Sequence, residues 1–323
     1  PIGFTIDLDV PEPATALQLF NNEGSTPVEI TNGTTNDTTP TLSGTASAAE
    51  AGGTVSVYEN ISGAPVLLGT ATVGADGSWS FTIPTLAAGE HSLTTTITDV
   101  AGNVSEPSDS IDFNVDLTPP EAVTDATLVG ADNNEITGGF THDTTPVLSG
   151  TAELGSFVTI RDGDTVLGTT VVDENGDWSY TLPTLSESDH SLTVTVTDAA
   201  GNSGEASTPI AFTVDITAPE AATALVISND SSGEPVTITN GITNDSTPVL
   251  SGTAEVGSFV TITDSVLGEL GTATVNNDGS WSFTTPVLGD GAHSLTTTVT
   301  DAAGNTGPAS AAVSITVLAT PPV

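Results

Sequence analysis

Apolar and polar residues alternate along this chain with a spacing of two, in short runs that come round three times. Trp79, Phe81 and Ile83 alternate with small polar residues, and Leu93, Thr95 and Ile97 do the same soon after. The pattern returns at Trp178, Tyr180 and Leu182 with Leu192, Val194 and Val196. It returns again at Trp281 and Phe283 with Leu295, Thr297 and Val299. Side chains two apart on an extended chain share a face, so each run predicts a half-buried strand. The three tryptophans sit within such runs and are predicted core anchors.

Extending the pattern predicts seven strands per repeat. Strand A covers 15–20, 124–129 and 222–227; strand B covers 41–46, 147–152 and 249–254, each with Leu-Ser-Gly-Thr-Ala. Strand C covers 54–58, 157–161 and 259–263, and strand D covers 68–73, 167–172 and 270–275. The tryptophan runs are strand E and the leucine runs strand F. Strand G covers 110–115, 209–214 and 311–317. Between D and E stand Asp76-Gly77, Asn175-Gly176 and Asp278-Gly279, which tolerate the positive φ of a tight hairpin. Seven short alternating strands per repeat predict an all-β chain of three tandem immunoglobulin-like β-sandwich domains arranged as a rod.

The repeat is marked by Thr-Asp-Ala-Ala-Gly-Asn, with Val100 for the first Ala in the first copy. Its aspartates Asp99, Asp198 and Asp301 lie 99 and 103 residues apart. The expected division is repeat one over 10–116, repeat two over 117–215 and repeat three over 216–323. Residues 1–9 are expected to be the end of a preceding repeat, because Phe4-Thr-Ile-Asp7 matches Phe113-Asn-Val-Asp116 and Phe212-Thr-Val-Asp215. The linkers carry Pro11, Pro13, Pro119, Pro120 and Pro219, which fix φ and keep the preceding residue extended. Short, stiff linkers suit a rod.

Charge narrows the partners. The chain holds 41 acidic residues, one basic residue, Arg161, and a net charge of -40. Nothing here neutralises phosphates, which excludes nucleic acid and argues against anionic membrane surfaces. No apolar run reaches the length that spans a bilayer, so no membrane insertion is expected. Cysteine is absent, so disulfides are not the staple. Methionine is absent too, and the chain is expected to be a fragment or a processed product. Bound divalent cations are the simplest counter to this self-repulsion.

Sandwich topology puts successive loops at alternate ends. Loops B–C, D–E and F–G fall at the upstream end; A–B, C–D and E–F fall at the downstream end. Asp116 is therefore expected to meet Glu153, Asp173, Asp177 and Asp198 of repeat two, and Asp215 to meet Glu255, Asp278 and Asp301 of repeat three. The free upstream end offers Asp7, Asp9, Glu50, Asp76 and Asp99, and Asp37, Asp143 and Asp245 lie in the A–B connections. Converging carboxylates with no cationic side chain call for a metal. Ca²⁺ suits loop carboxylates, carbonyls and water, whereas Mg²⁺ and Zn²⁺ want stricter geometry or His and Cys ligands. Asp and Asn also shape turns unaided, and for the D–E turn that reading stands beside the metal one. His91, His190 and His293 open strand F and are expected to pack against the E–F turn. His142 stands where the other repeats have Asn36 and Asn244, which a catalytic His would not allow. No nucleophile, phosphate loop or basic groove survives comparison of the repeats, so the chain is not expected to be an enzyme.

Thr-Asp-Ala-Ala-Gly-Asn, Asn-Asp-Thr-Thr-Pro, Leu-Ser-Gly-Thr-Ala, Asp-Gly-Ser-Trp-Ser-Phe and Val-Asp-x-Thr-x-Pro, in fixed order, resemble bacterial immunoglobulin-like repeats. Such tandem repeats occur in giant type I-secreted, RTX-type and biofilm-associated adhesins. The resemblance implies a stalk outside the cell, rigidified by Ca²⁺ at its junctions, with adjacent repeats as partners and a binding tip that meets a host-cell or biofilm surface. Asp116 and Asp215 match the linker aspartate of such repeats; Leu318 departs from it. Two alternatives stand beside the stalk: a repeat that itself binds a glycan or host protein, with 59–65 as its most apolar loop, and a subunit of an extracellular filament.

Overall fold

A computed structural model describes residues 6–61, 63–131, 133–136, 139–231, 233 and 235–319. In module one the strands are β1 (Thr15–Asn21), β2 (Val28–Glu29), β3 (Thr34–Thr35), β4 (Thr41–Thr45), β5 (Thr54–Ile61), β6 (Ala64–Thr72), β7 (Ser78–Thr82), β8 (Gly89–Thr98) and β9 (Ile111–Val115). They form two sheets, ordered β2-β1-β4-β7 and β3-β9-β8-β5-β6. The predicted strand D, β6, pairs with strand C, β5, and so closes the second sheet rather than the first. Module three repeats the arrangement; module two repeats the second sheet, while its first sheet has three strands among the described residues, without a counterpart of β2.

Each module encloses its own core of inward-facing residues from both sheets, and the three cores are separate. Trp79, Trp178 and Trp281 are buried in them. The Leu-Ser-Gly-Thr-Ala motif is explained by these rings. Gly44 lies directly across from Trp79, and a Cβ on it would stand 2.7 Å from Trp79 Cζ2. Gly150 faces Trp178 and Gly252 faces Trp281 in the same way. The motif thus supplies a buried Leu and a bare backbone on which the indole lies.

Two features depart from the strand pattern. Strand A of module two is only Thr127–Val129, because the Asp125 carboxylate takes the Thr151 N–H (3.2 Å) and hydroxyl (2.6 Å) where a ladder bond would run. In modules one and three strand A is longer and shifts register at Ala16 (φ 51) and Ala224 (φ 49). The second feature is β3. It pairs in parallel with β9, as Phe140–Thr141 and Ile242–Thr243 pair with the last strands of their modules. Two residues are too few to show a period. Of the expected leading strand, Phe4 and Thr5 lie outside the described residues, and Ile6 and Asp7 are outside any strand.

Candidate functional site at the module junctions

The repeated Thr-Asp-Ala-Ala-Gly-Asn motif forms the F–G loop. Asp198 Oδ1 accepts the Gly201 and Asn202 N–H groups at 2.7 and 2.8 Å, and Oδ2 accepts from Asn202 Nδ2 at 2.8 Å. The turn needs φ of 103° at Gly201, in the region glycine favours. The same Asn202 amide also donates to the Asp116 carbonyl of the preceding module at 2.9 Å. Asn305 bridges Asp301 Oδ2 (2.9 Å) and the Asp215 carbonyl (2.8 Å) identically. At the upstream end, Asn103 bridges Asp99 Oδ2 (2.7 Å) and the Asp7 carbonyl (3.3 Å). The Asp folds the loop, the Gly lets it turn, and the Asn reaches back.

The preceding module answers from its A–B connection. Asn36 N–H donates to the Ala200 carbonyl (3.0 Å), and Asn32 Nδ2 to the Ala199 carbonyl (2.8 Å). At the next junction His142 donates both its backbone N–H (3.2 Å) and Nδ1 (2.7 Å) to the Ala303 carbonyl. A Cβ on Gly204 or Gly307 would collide with the carbonyl of Pro120 or Pro219, so the loop also sits flush on the incoming linker. Asp116 Oδ1 and Asp215 Oδ1 turn back to the N–H groups of Thr118 (2.9 Å) and Thr217 (3.0 Å). Leu318, at the equivalent place in module three, carries no side-chain acceptor, though its N–H still reaches the Thr243 carbonyl (2.8 Å).

The remaining predicted ligands occupy their own turns. Asp37 is buried: Oδ1 accepts from Thr39 N–H (2.7 Å) and hydroxyl (3.2 Å), and Oδ2 from Asn22 N–H (2.7 Å). Asp245 repeats this with Thr247 and Asp230, and Asp143 with Thr145. Asp76 and Asp278 hold Ser78 and Ser280, which keep both carboxyls below their ordinary value, hydroxyl bonds first. Asp173 is lowered by the N–H groups of Asn175 and Asp177, and Asp99 by the Asn103 amide. Asp177 begins a strand and is exposed. Glu50 ends a short 3₁₀ turn; the Glu153 and Glu255 carbonyls accept from Ser156 and Ser258. Asp9 N–H bonds Asp7 Oδ1 (3.1 Å).

These oxygens are of the class a hard cation takes, but Ca²⁺ wants roughly six to eight of them. Among the described residues no three His, Cys, Asp or Glu gather to hold a metal. At each junction the asparagine amide already lies between the F–G carboxylate and the linker carbonyl.

Two features escaped the sequence pattern. The first is a carboxylate on each F-strand histidine: Glu59 on His91, Asp162 on His190, Asp264 on His293. These pairs depend on which residues strands C and F align, which periodicity does not specify. In module two, Ser188 Oγ also lies 3.4 Å from His190 Nε2, a triad-like order. That nitrogen is committed to the Ser186 carbonyl at 2.9 Å, so it does not serve as a base toward the serine. The second is a cleft of about 430 Å³ between modules two and three, lined by Phe140, Phe259, His142, Glu135 and Asp143 among others. Phe140 is 53% exposed and Phe259 40%. Phe140 stands where module one has Thr34, so this junction differs from the first.

Residues 10–117, 121–216 and 217–317 each match the bacterial Ig-like domain family. No curated protein matches the chain. Among solved structures, the chain is similar to a tetra-tandem repeat in the extending region of a large adhesion protein. There, identity is 28% over 96% of this chain and 75% of that one, with a TM-score of 0.28. It is similar to a Ca²⁺-stabilised adhesin by which an Antarctic bacterium reaches out and binds ice, at 25% identity over 96% and 75%, TM-score 0.37. It is also similar to a 1.5-MDa bacterial ice-binding adhesin, at 23% identity over 86% and 90%, TM-score 0.32. With its all-β modules, separate cores and repeated junctions, the chain belongs to the bacterial Ig-like domain family, in three tandem copies.

Proposed function

We propose that this chain is a non-catalytic extender segment of a large bacterial surface adhesin, lying outside the cell and holding a binding tip away from it in adhesion or biofilm formation. The observation that carries the reading is the repeated hook, in which Asn202 and Asn305 each tie their own loop to the linker of the module before. The same asparagine hook at successive junctions fixes each module on the last, as a spacer requires. Calcium belongs to the same proposal: a carboxylate and a carbonyl already face one donor at each junction, and the net charge of -40 favours any divalent cation that completes the set. Small-angle scattering of the whole chain, with and without EGTA and with a metal assay on the same sample, tests both parts. A fixed long particle that loses order on chelation supports the calcium-locked spacer. A long particle indifferent to EGTA leaves the spacer and removes the calcium, and a compact or folded-back particle removes the spacer. Asn202→Ala is expected to loosen the first junction alone.

One observation favours a second reading, a module that itself binds a glycan or host protein. Phe140 and Phe259 offer exposed rings in the cleft between modules two and three, beside Glu135 and Asp143. Screening the chain against a glycan array, with Phe140→Thr as control, separates the two: signal lost in the variant supports binding, and a blank array leaves the spacer alone.

A further inference from the structure

Each module carries a histidine whose two ring nitrogens both face acceptor oxygens, and in modules two and three that residue is buried. His190 Nδ1 lies 2.7 Å from Asp162 Oδ2, and Nε2 lies 2.9 Å from the Ser186 carbonyl. His293 Nδ1 lies 2.6 Å from Asp264 Oδ2, and Nε2 lies 2.9 Å from the Gly289 carbonyl. His91 repeats the geometry with Glu59 and Ala87. A neutral imidazole has one N–H to give and would turn a lone pair toward the other oxygen; only the imidazolium donates to both. The carboxylates are not the proton source. Asp162 Oδ1 accepts the Ser191 N–H at 2.9 Å and Asp264 Oδ1 the Val266 N–H at 3.2 Å, bonds that favour the ionised form.

We propose that His190 and His293 are held as buried imidazolium ions and act as pH-released clamps on the downstream ends of modules two and three. Each clamp ties strand C to strand F and to the E–F turn. That turn in turn holds the outgoing chain. Val214 N–H donates to the Ser188 carbonyl (3.0 Å), Thr217 hydroxyl to Glu187 (2.5 Å), and Ala319 N–H to Asp290 (2.7 Å). Release therefore loosens the module and its grip on the linker together.

The groups facing the rings are acidic or neutral. Asp162 comes from strand C, Asp189 from His190's own strand, serines from the E–F turn, and Phe212 from strand G, its ring 5.5 Å away. Arg161 turns its guanidinium to the Asp164 carbonyl. His293 faces Asp264 from strand C, and Asp290 lies in its E–F turn. Burial pushes His190 down, but the bonds to Asp162 and Ser186 and the charges of Asp162 and Asp189 outweigh it and leave it raised above 6.5. Burial opposes His293 likewise, and the Gly289 carbonyl and Asp264 raise it. A raised histidine stabilises the fold fully below its unfolded value and loses that contribution as pH climbs through the folded value. Burial pushes Asp162 and Asp264 up, but their histidine and N–H bonds leave both lowered. Their contribution is present above 3.8 and fades as pH falls through the depressed value. The clamp is whole between those limits and opens on the alkaline side.

Histidine-ring ¹⁵N NMR on the intact three-module chain, run with thermal melts from pH 5 to 9, tests the proposal. Both nitrogens of His190 and His293 are expected to carry protons at pH 7, and both rings to titrate above a histidine in a free peptide. Melting temperature is expected to fall from pH 6 to 9. In His190→Gln/His293→Gln that slope is expected to flatten. If the double variant does not fold, Asp264→Asn, which keeps the shape, is expected to lower the proton affinity of His293 by tenfold or more. A singly protonated ring at pH 7, or a wild-type melt that does not move between pH 6 and 9, overturns the proposal.

Discussion

At the scale of single residues, the three copies act as mutual controls. Thr95 and Thr297 are buried in strand F with hydroxyls that find no partner, and module two carries Val194 at the same place. An unpaired buried hydroxyl costs about 1–3 kcal/mol, so Thr95→Val and Thr297→Val are each expected to stabilise their module by about 1 kcal/mol. Val194→Thr is expected to cost a similar amount, and urea unfolding followed by tryptophan fluorescence measures all three. The backbone bond from Thr95 N–H to Ser108 Oγ (3.0 Å) is untouched by the change. Gly44 gives the opposite sign. Its missing Cβ makes room for Trp79 and Leu17, so Gly44→Ala forces ring or strand to move, at about 1–3 kcal/mol. Loss of the Trp79 contribution to the same urea transition at lower denaturant is the expected readout. That glycine was legible in the sequence as part of a motif, yet its reason was not, because the facing ring lies 35 residues on and is brought across by the pairing of β4 with β7.

At the scale of elements, strands were legible and connections were not. Period-two patterning marked β4, β7 and β8 because each buries one face only. The parallel pair of β3 with β9 left no such trace, and it is what sets the A–B connection against the linker, with Asp116 N–H donating to the Thr35 carbonyl at 2.9 Å. That connection is held by Asp37, whose carboxylate gathers the N–H groups of Asn22 and Thr39. The residue was conspicuous in the sequence; whether it shapes a turn or binds a metal depends on contacts that spacing does not encode. Asp37→Ala orphans two backbone donors and is expected to cost module one about 1–3 kcal/mol. A turn-shaping aspartate gives that loss equally in EGTA and in calcium. A ligand gives a loss that largely disappears once calcium is removed from both proteins. Thermal melts of wild type and variant under the two conditions decide between them, and the bonds to Asn22 and Thr39 favour the first outcome.

At the scale of the whole molecule, charge dominates. A chain of -40 with one arginine repels itself in any compact state, and monovalent salt screens that repulsion over a Debye length of about 10 Å at 0.1 M. Stability is therefore expected to rise with NaCl, and any account of calcium has to exceed this general term. Comparing NaCl, MgCl₂ and CaCl₂ at matched ionic strength separates the two. Screening alone predicts closely similar melting temperatures in all three. Sites built from junction oxygens predict a further rise in calcium over magnesium, because loose carboxylate and carbonyl sets suit the larger ion. That rise should saturate with calcium concentration, as binding to the folded state does. It should also be reduced in Asp198→Asn and Asp301→Asn, whose carboxylates stand one donor away from the linker carbonyls of Asp116 and Asp215. Equal curves for magnesium and calcium, unchanged in those variants, would assign the junctions to their asparagine hooks and leave the ions as atmosphere.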